Sequence, residues 1–442
     1  MDRRNFLSLL LASSLGSISL SSRLWADDEN ESSAAGTSLT AVPSNTGLSG
    51  NIVVVGGGMA GNTLAKYLRI WGGTGVGVTL VEKDAAYTSN IMSNLVLNGQ
   101  RSLDALRYSR STLSDHYGVT LRSGTVTSIE AASNRVVLAD GSSLNYDRLV
   151  LAPGLTFDLL PGMSSASEYD TLIPHAWQAG AQTQLLRDQL LAMPAGGTVV
   201  ISIPLVPFRC PPGPYERACV IADWLKNNKP GSRVVVLDAN SDIVVERDNF
   251  LHAFNVIHAG VIDYQPGSVI TQVNSVTRDI SYTQNGFNKQ ISAGVFNPIP
   301  PQRAPELLSQ AGLLNSPDKR FAAVNVLNYE STAAVGIHII GDASHTTQPK
   351  AGHVANQEAK VCADAILRQF AGQQPDPAPV TNSACYSPIT ATTASWLSGV
   401  YQYDSASASM KLSKLAASAG ASNRNYTDMS TWFNALMQDS FG

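Results

Sequence analysis

Asn51-Ile52-Val53-Val54-Val55-Gly56-Gly57-Gly58-Met59-Ala60-Gly61-Asn62 is the stretch on which the fold of this chain turns. The apolar run Asn51 to Val55 reads as a buried parallel strand and Asn62 to Ile70 as a helix, so the glycines occupy a strand-to-helix turn. In that context G-x-G-x-x-G is informative. Gly56 permits the tight turn, Gly58 lets the backbone approach a pyrophosphate, and Gly61 allows the helix to close on the strand, with Ala60 in the same first turn. The helix N-terminus attracts the anion. A second strand, Gly77 to Val81, ends in Glu82, about 20 positions after the last glycine, where an acid accepts the ribose hydroxyls of an adenosine. Turn, strand context and acid together indicate a dinucleotide site.

With 442 residues the chain has room for two or three domains. Charged residues make up 14% and the net charge is −4, so there is no basic footprint for nucleic acid. The N-terminus reads as a targeting segment: Arg3-Arg4-Asn5-Phe6-Leu7 precedes an apolar, Ser- and Gly-containing stretch, and Leu24-Trp25-Ala26 offers a cleavage site. This resembles a twin-arginine export signal and implies a periplasmic mature protein. The apolar run is too short and too polar to span a bilayer, and no later segment is suited to stable membrane insertion. Residues 27–49, rich in Ser, Thr, Ala and acids, read as a disordered lead-in.

Further along, Tyr146 to Leu151 reads as a strand running into Ala152-Pro153-Gly154, and Gly336 to Ile340 as another ending in Gly341-Asp342. The first resembles the second contact segment of flavoproteins with two dinucleotide-binding domains; in that superfamily an aspartate placed like Asp342 binds the ribityl chain of FAD. FAD is therefore the implied cofactor. The fold class expected is α/β, with two Rossmann-like dinucleotide-binding domains and a small C-terminal domain. The FAD domain is discontinuous, over 50–160 and 300–374, with the second dinucleotide fold over 161–299 and the C-terminal domain over 375–442.

In the second unit, Gly197 to Ile203, Tyr215 to Asn227 and Ser232 to Leu237 give a strand-helix-strand pattern closing on Asp238. Its first turn, Pro204 to Pro214, carries five prolines where NAD(P)H-using relatives carry glycines. Proline lacks the N–H that cradles a pyrophosphate, so the turn argues against a nicotinamide cofactor. In its place stand Cys210 and, at the start of the helix, Glu216 and Arg217, where the dipole favours thiolate over thiol. Of the four cysteines, Cys219 and Cys362 fall in helical patterns and read as packed residues, whereas Cys210 and Cys385 lie in loop-like settings. Three pairings are open, and spacing does not choose among them.

F-R-C-P-P-G-P-Y-E-R at Phe208 to Arg217, P-P-Q-R-A at Pro300 to Ala304, I-G-D-A-S at Ile340 to Ser344 and the terminal D-S-F-G resemble the flavoprotein subunit of flavocytochrome c sulfide dehydrogenase, over about Asn51 to Gly442. The resemblance implies that Cys210 and Cys385 form a redox-active disulfide beside the flavin, with Glu216 as acid/base and Trp432 near the flavin. It also implies that hydrosulfide attacks the disulfide and that electrons leave to a c-type cytochrome partner. The chain has no C-x-x-C-H, so haem c would belong to that partner. Gly154, Gln302, Gly341, Asp342 and Lys350 join Gly56, Gly58, Ala60, Gly61, Glu82 and Trp432 in the expected flavin-binding set.

Two other readings compete. A membrane-associated sulfide:quinone oxidoreductase needs an amphipathic apolar surface near the C-terminus, whereas Asp404 to Ser422 is Ser/Ala-rich and reads as a surface excursion. A non-enzymatic flavin-containing accessory or sulfur-carrier protein is the other. One departure from the family bears on the cofactor's attachment. Some relatives tether the flavin through a cysteine in Y-T-C-Y-L-S-N; this chain reads Tyr87-Thr88-Ser89-Asn90-Ile91-Met92-Ser93-Asn94, with one extra residue and Ser89 in the cysteine's place. A serine hydroxyl is a far poorer nucleophile, so FAD is expected to bind non-covalently.

Overall fold

The computed structural model describes residues 39–442; the export signal over 1–26 and the lead-in up to 38 lie outside the described residues. Strand β1 (Gly50–Val55) is buried over its last four residues, as a parallel strand covered on both faces requires. Helix α1 (Met59–Gly72) leads from it to β2 (Val76–Glu82), which lies parallel with Val53 opposite Thr79. β3 (Thr120–Ser123) flanks β2 and β4 (Arg148–Leu151) flanks the other side of β1. Gly56 takes φ +101°, and a Cβ on Gly61 would lie 1.8 Å from Gly56 O. The turn therefore needs both glycines for its own geometry.

The chain then forms a second parallel sheet from β5 (Thr198–Ile203), β6 (Arg233–Asp238), β7 (Ile262–Pro266) and β8 (Val295–Pro298), in the order β7-β6-β5-β8, with α2 (Gly213–Asn228) between β5 and β6. It returns to the first sheet at β9 (Ile337–Ile339), parallel to β4, so the core order there is β3-β2-β1-β4-β9. Helix α3 (Gly352–Phe370) packs beside α1, with Ala359, Cys362, Ala363 and Ile366 in the same core as Leu64 and Leu68. Cys219 and Cys362 are fully buried, as their helical patterns predict.

The C-terminal region is an antiparallel sheet of β10 (Val380–Pro388), β11 (Ala394–Asp404) and β12 (Ser409–Ala417), followed by α4 (Asn423–Phe441). Two expectations are corrected here. Cys385 is not in an irregular segment: it lies in β10 opposite Leu397, because a backbone ladder holds the small polar residues whose side chains gave no strand pattern. Much of 404–422 is likewise β12, an exposed strand paired to β11 rather than an excursion. A third correction concerns the lead-in. Residues 40–48 are attached, since Thr46 Oγ1 donates to Gly72 O at 2.6 Å, Thr74 N donates to Pro43 O at 2.9 Å, and Val42 and Leu48 pack on the core.

The terminal D-S-F-G fastens α4 to the first domain. Asp439 accepts from Tyr67 Oη at 2.5 Å and Asn356 Nδ2 at 2.7 Å and pairs with Lys360 at 2.7 Å. Asn62 Nδ2 donates to Ser440 O at 2.5 Å, and Phe441 stacks on Tyr87 at 4.8 Å between centroids. Burial pushes the Asp439 carboxyl up, but Lys360, Tyr67 and Asn356 outweigh it and hold the group below its ordinary range. Residues Thr40–Gly442 thus form one compact unit.

Candidate active site

The first sheet, the turn and helix α2 of the second unit, and the C-terminal sheet and helix contribute to one cavity of about 530 Å³, within the range of small-molecule sites. The end of β1 supplies Gly56 and Gly58, α1 supplies Ala60, and β2 ends in Glu82 on the wall. Gly154 follows β4, Gly341 and Asp342 follow β9, Gly352 and His353 open α3, and Trp432 comes from α4. Glu82 accepts from Gly57 N at 2.7 Å and Asp84 N at 3.0 Å, which fixes the carboxylate across the mouth of the glycine turn.

FAD fits this set. Two carboxylates, Glu82 and Asp342, flank a glycine turn at a helix N-terminus, which suits two polyols joined by a pyrophosphate. A Cβ on Gly58 would meet only Tyr87, at 3.9 Å, so the backbone is open to a ligand there. Trp432 Nε1 is a buried donor with no partner among the described residues and requires an acceptor in the cavity. Three expected binding residues stand behind the wall. Gly61 packs on the turn itself, Gln302 accepts from Arg209 N at 2.8 Å, and Lys350 Nζ donates to Asp342 O at 2.8 Å and Ser344 O at 2.7 Å.

Cys210 and Cys385, 175 positions apart by their numbers, both line this cavity, together with Glu216. Both stand as free thiols in this structure, as do Cys219 and Cys362. Cys210 sits at φ +58° just ahead of α2, with its N–H on Lys350 O at 2.7 Å. Its thiolate character is a further correction. Burial, then the neighbouring Glu216, pushes the Cys210 thiol up to about 12 despite Gly213 N–H, Arg209 and Arg217; desolvation outweighs the helix dipole. Burial raises Cys385 as well, with Cys210 the largest charge acting on it.

Glu216 shares this wall and holds its proton more tightly than an ordinary carboxyl. Burial pushes its carboxyl up to about 8, against the pull of an Asn94 hydrogen bond at 2.8 Å and of Arg217. An acid near 8 beside a thiol near 12 can reprotonate a departing thiolate. His353 accepts from Ala384 N on Nδ1 at 3.0 Å, and burial holds its pKa down at about 4, so the ring is neutral with its proton on Nε2. Arg209 pairs with Asp342 at 3.3 Å and donates to Trp177 O.

The model for the central region of the sulfide dehydrogenase (flavocytochrome c) flavoprotein chain matches residues 183–300, and that for the flavin-binding region of flavocytochrome c sulphide dehydrogenase matches 377–441. Two separate stretches of this chain are thus matched by models of the flavocytochrome c sulfide dehydrogenase flavoprotein family. A pyridine nucleotide-disulphide oxidoreductase model covers 50–197. The central match contains Cys210 and Glu216, and the flavin-binding match contains Cys385 and Trp432. The chain is accordingly an α/β protein with FAD as its cofactor.

Among curated proteins, nitric oxide reductase FlRd-NAD(+) reductase of Klebsiella pneumoniae is 29% identical over 154 residues, 34% of this chain and 40% of the relative. Ferroptosis suppressor protein 1 of Taeniopygia guttata is 33% identical over 105 residues, 23% of this chain and 26% of that protein. The chain thus spans less than half of the length of these relatives. The sulfide:quinone oxidoreductase of Aquifex aeolicus shares the fold at a TM-score of 0.72 with 16% identity, covering 88% of this chain and 91% of that one. The NAD-dependent persulfide reductase of A. fulgidus superposes at 0.58 with 17% identity, covering 87% and 77%.

Among the wall residues that sequence reasoning missed are Asn94, Trp177, Arg209 and His353. Arg209 lay within the quoted F-R-C-P-P-G-P, and Asn94 closes the segment quoted for the missing tether. Trp177 and His353 had no local signal, since each becomes a wall residue only when distant elements meet.

Proposed function

We propose that this chain is a periplasmic sulfide dehydrogenase flavoprotein that oxidises hydrosulfide to sulfane sulfur through the Cys210 and Cys385 pair and passes electrons to a c-type cytochrome. The observation that carries the reading is the convergence of Cys210, Cys385 and Glu216 on the cavity lined by Gly58, Glu82 and Asp342. Gly56, Gly58, Ala60, Glu82, Gly154, Gly341, Asp342 and Trp432 would hold the cofactor. When bound, FAD supplies a two-electron acceptor able to release electrons singly to haem. Ser89 is buried with its hydroxyl donated to Ile91 O at 3.1 Å, which supports non-covalent binding.

The protein's own chemistry begins from the oxidised pair, a Cys210–Cys385 disulfide. Hydrosulfide attacks one sulfur: a new S–S bond forms, the old one breaks, and the other cysteine leaves as thiolate. The persulfide so formed carries sulfur oxidised to the sulfane level. Glu216 then gives its proton to whichever thiolate is the stronger base, and recovers one from substrate. The twin-arginine reading of residues 1–26 supports export of the folded, flavin-loaded protein.

Anaerobic sulfide should bleach the purified yellow protein. Cys210→Ser and Cys385→Ser should each keep FAD and lose at least a hundredfold in the rate of bleaching, on the order of a catalytic group's contribution. A Cys385→Ser protein that keeps wild-type turnover removes the two-cysteine mechanism. Reduction of added cytochrome c, compared with reduction of a quinone, tests the acceptor.

A further inference from the structure

Asn94 stands between two consecutive ionisable residues of α2. Its Oδ1 accepts from Arg217 Nε at 2.8 Å, while its Nδ2 donates to Glu216 Oε1 at 2.8 Å and to Gly213 O at 3.3 Å. The amide has no choice of orientation. A guanidinium only donates, so Asn94 must turn its oxygen to Arg217, which leaves N–H for Glu216. Nor can Arg217 move aside: it also donates to His175 O, Ala176 O and Asn297 Oδ1 and lies over the Trp177 ring at 4.6 Å. Glu216 Oε2 has no hydrogen bond among the described residues, and the side chain borders the cavity that holds both reactive cysteines.

We infer that Asn94 is the positioning residue of the proton-transferring carboxyl: clamped by Arg217, it fixes one oxygen of Glu216 and leaves the other to exchange a proton with sulfur in the cavity. This rests on the acid/base reading of Glu216 given above. An N–H donated to a carboxylate favours the charged form, so removing it must move the titration of Glu216 upward. The other groups acting on Glu216 come from several elements. Arg217 and Cys219 lie on α2, Cys210 precedes it, Glu246 lies in the segment before residues 247–252, and Cys385 is on β10. Of these only Arg217 also touches Asn94, and its bonds to His175 O, Ala176 O and Asn297 Oδ1 hold the guanidinium in place when Asn94 is changed.

The test uses the flavin-loaded protein without sulfide. The infrared band of protonated Glu216, assigned by its loss in Glu216→Gln, should titrate about one pH unit or more higher in Asn94→Leu. The pH profile of sulfide-driven flavin reduction should move by the same amount, and Asn94→Gln should restore part of the shift. If Asn94→Leu does not accumulate, Asn94→Ser, which is smaller and keeps a hydroxyl, should give a lesser shift in the same direction. An unchanged band in the variant that folds overturns the inference, whatever the rate does. A band that moves while the rate profile stays put supports the coupling of Asn94 to Glu216 and removes the acid/base role of Glu216 instead.

Discussion

At the scale of single residues, the glycines of the first turn divide into two kinds that look alike in sequence. A Cβ on Gly61 would press into Gly56 O at 1.8 Å, against backbone that cannot yield. A Cβ on Gly58 would reach only the Tyr87 ring, at 3.9 Å, and would otherwise project toward the cavity. Gly61→Ala should therefore destabilise the apoprotein by about 3 kcal/mol, the upper range for overpacking. Gly58→Ala should leave apoprotein stability within about 0.5 kcal/mol and weaken FAD binding instead. Chemical denaturation of the apoproteins and a flavin titration separate the two; a Gly58→Ala protein with unaltered FAD affinity would contradict a close backbone approach at that position. The sulfur site teaches a related lesson. The residue types at Cys210 and Glu216 were legible, but their proton affinities were not, because burial is a property of the surroundings.

Among the elements, α2 and its preceding turn explain why the second Rossmann-like unit differs from a nicotinamide site. Asp238 ends β6 where an acid of a working site would meet ribose. Here its side chain is buried and fully engaged: Tyr215 Oη donates to it at 2.8 Å, Tyr264 Oη at 2.9 Å, and Asn240 adds two further hydrogen bonds. Tyr215 itself lies in the first turn of α2 with no exposed surface. The prolines seen in the sequence thus coincide with a ribose position filled by tyrosine. NADH or NADPH should not bleach the flavin at a useful rate, and stopped-flow mixing gives the answer directly: bleaching as fast as with sulfide would restore a nucleotide site to this domain.

For the molecule as a whole, the non-covalent attachment of FAD proposed above would tie stability to free cofactor. With Ser89 buried and bonded to Ile91 O, no thiol stands at the family's tethering position. Holoprotein stability should then follow free FAD by mass action, rising about 2.7 kcal/mol when FAD reaches a hundredfold excess over its Kd. Acid precipitation should leave the yellow colour in the supernatant, whereas a pellet that keeps its flavin after washing would demonstrate a covalent bond. Thermal melts across a series of FAD concentrations provide the quantitative check.

What the sequence determined by itself was whatever depends on neighbours along the chain. The run Ile52 to Val55, the glycine spacing and Glu82 specify a strand, a turn and an acid within one local unit, and that unit formed as read. The F-R-C-P-P-G-P segment carried the family resemblance in the same local way. Tertiary structure decided the rest. Cys385 read as loop because the small residues around it show no apolar period, yet hydrogen bonds to β11 make it strand, and those bonds belong to the backbone of another segment. His353 and Trp432 meet across the cavity, 6.2 Å apart between ring centroids, only because Asp439 and Ser440 lock α4 against α1 and α3. Likewise the high proton affinities of Cys210 and Glu216 come from water excluded by elements remote in sequence. Desolvation and long-range packing leave no pattern at the residue they act on, which is why they had to be seen in three dimensions.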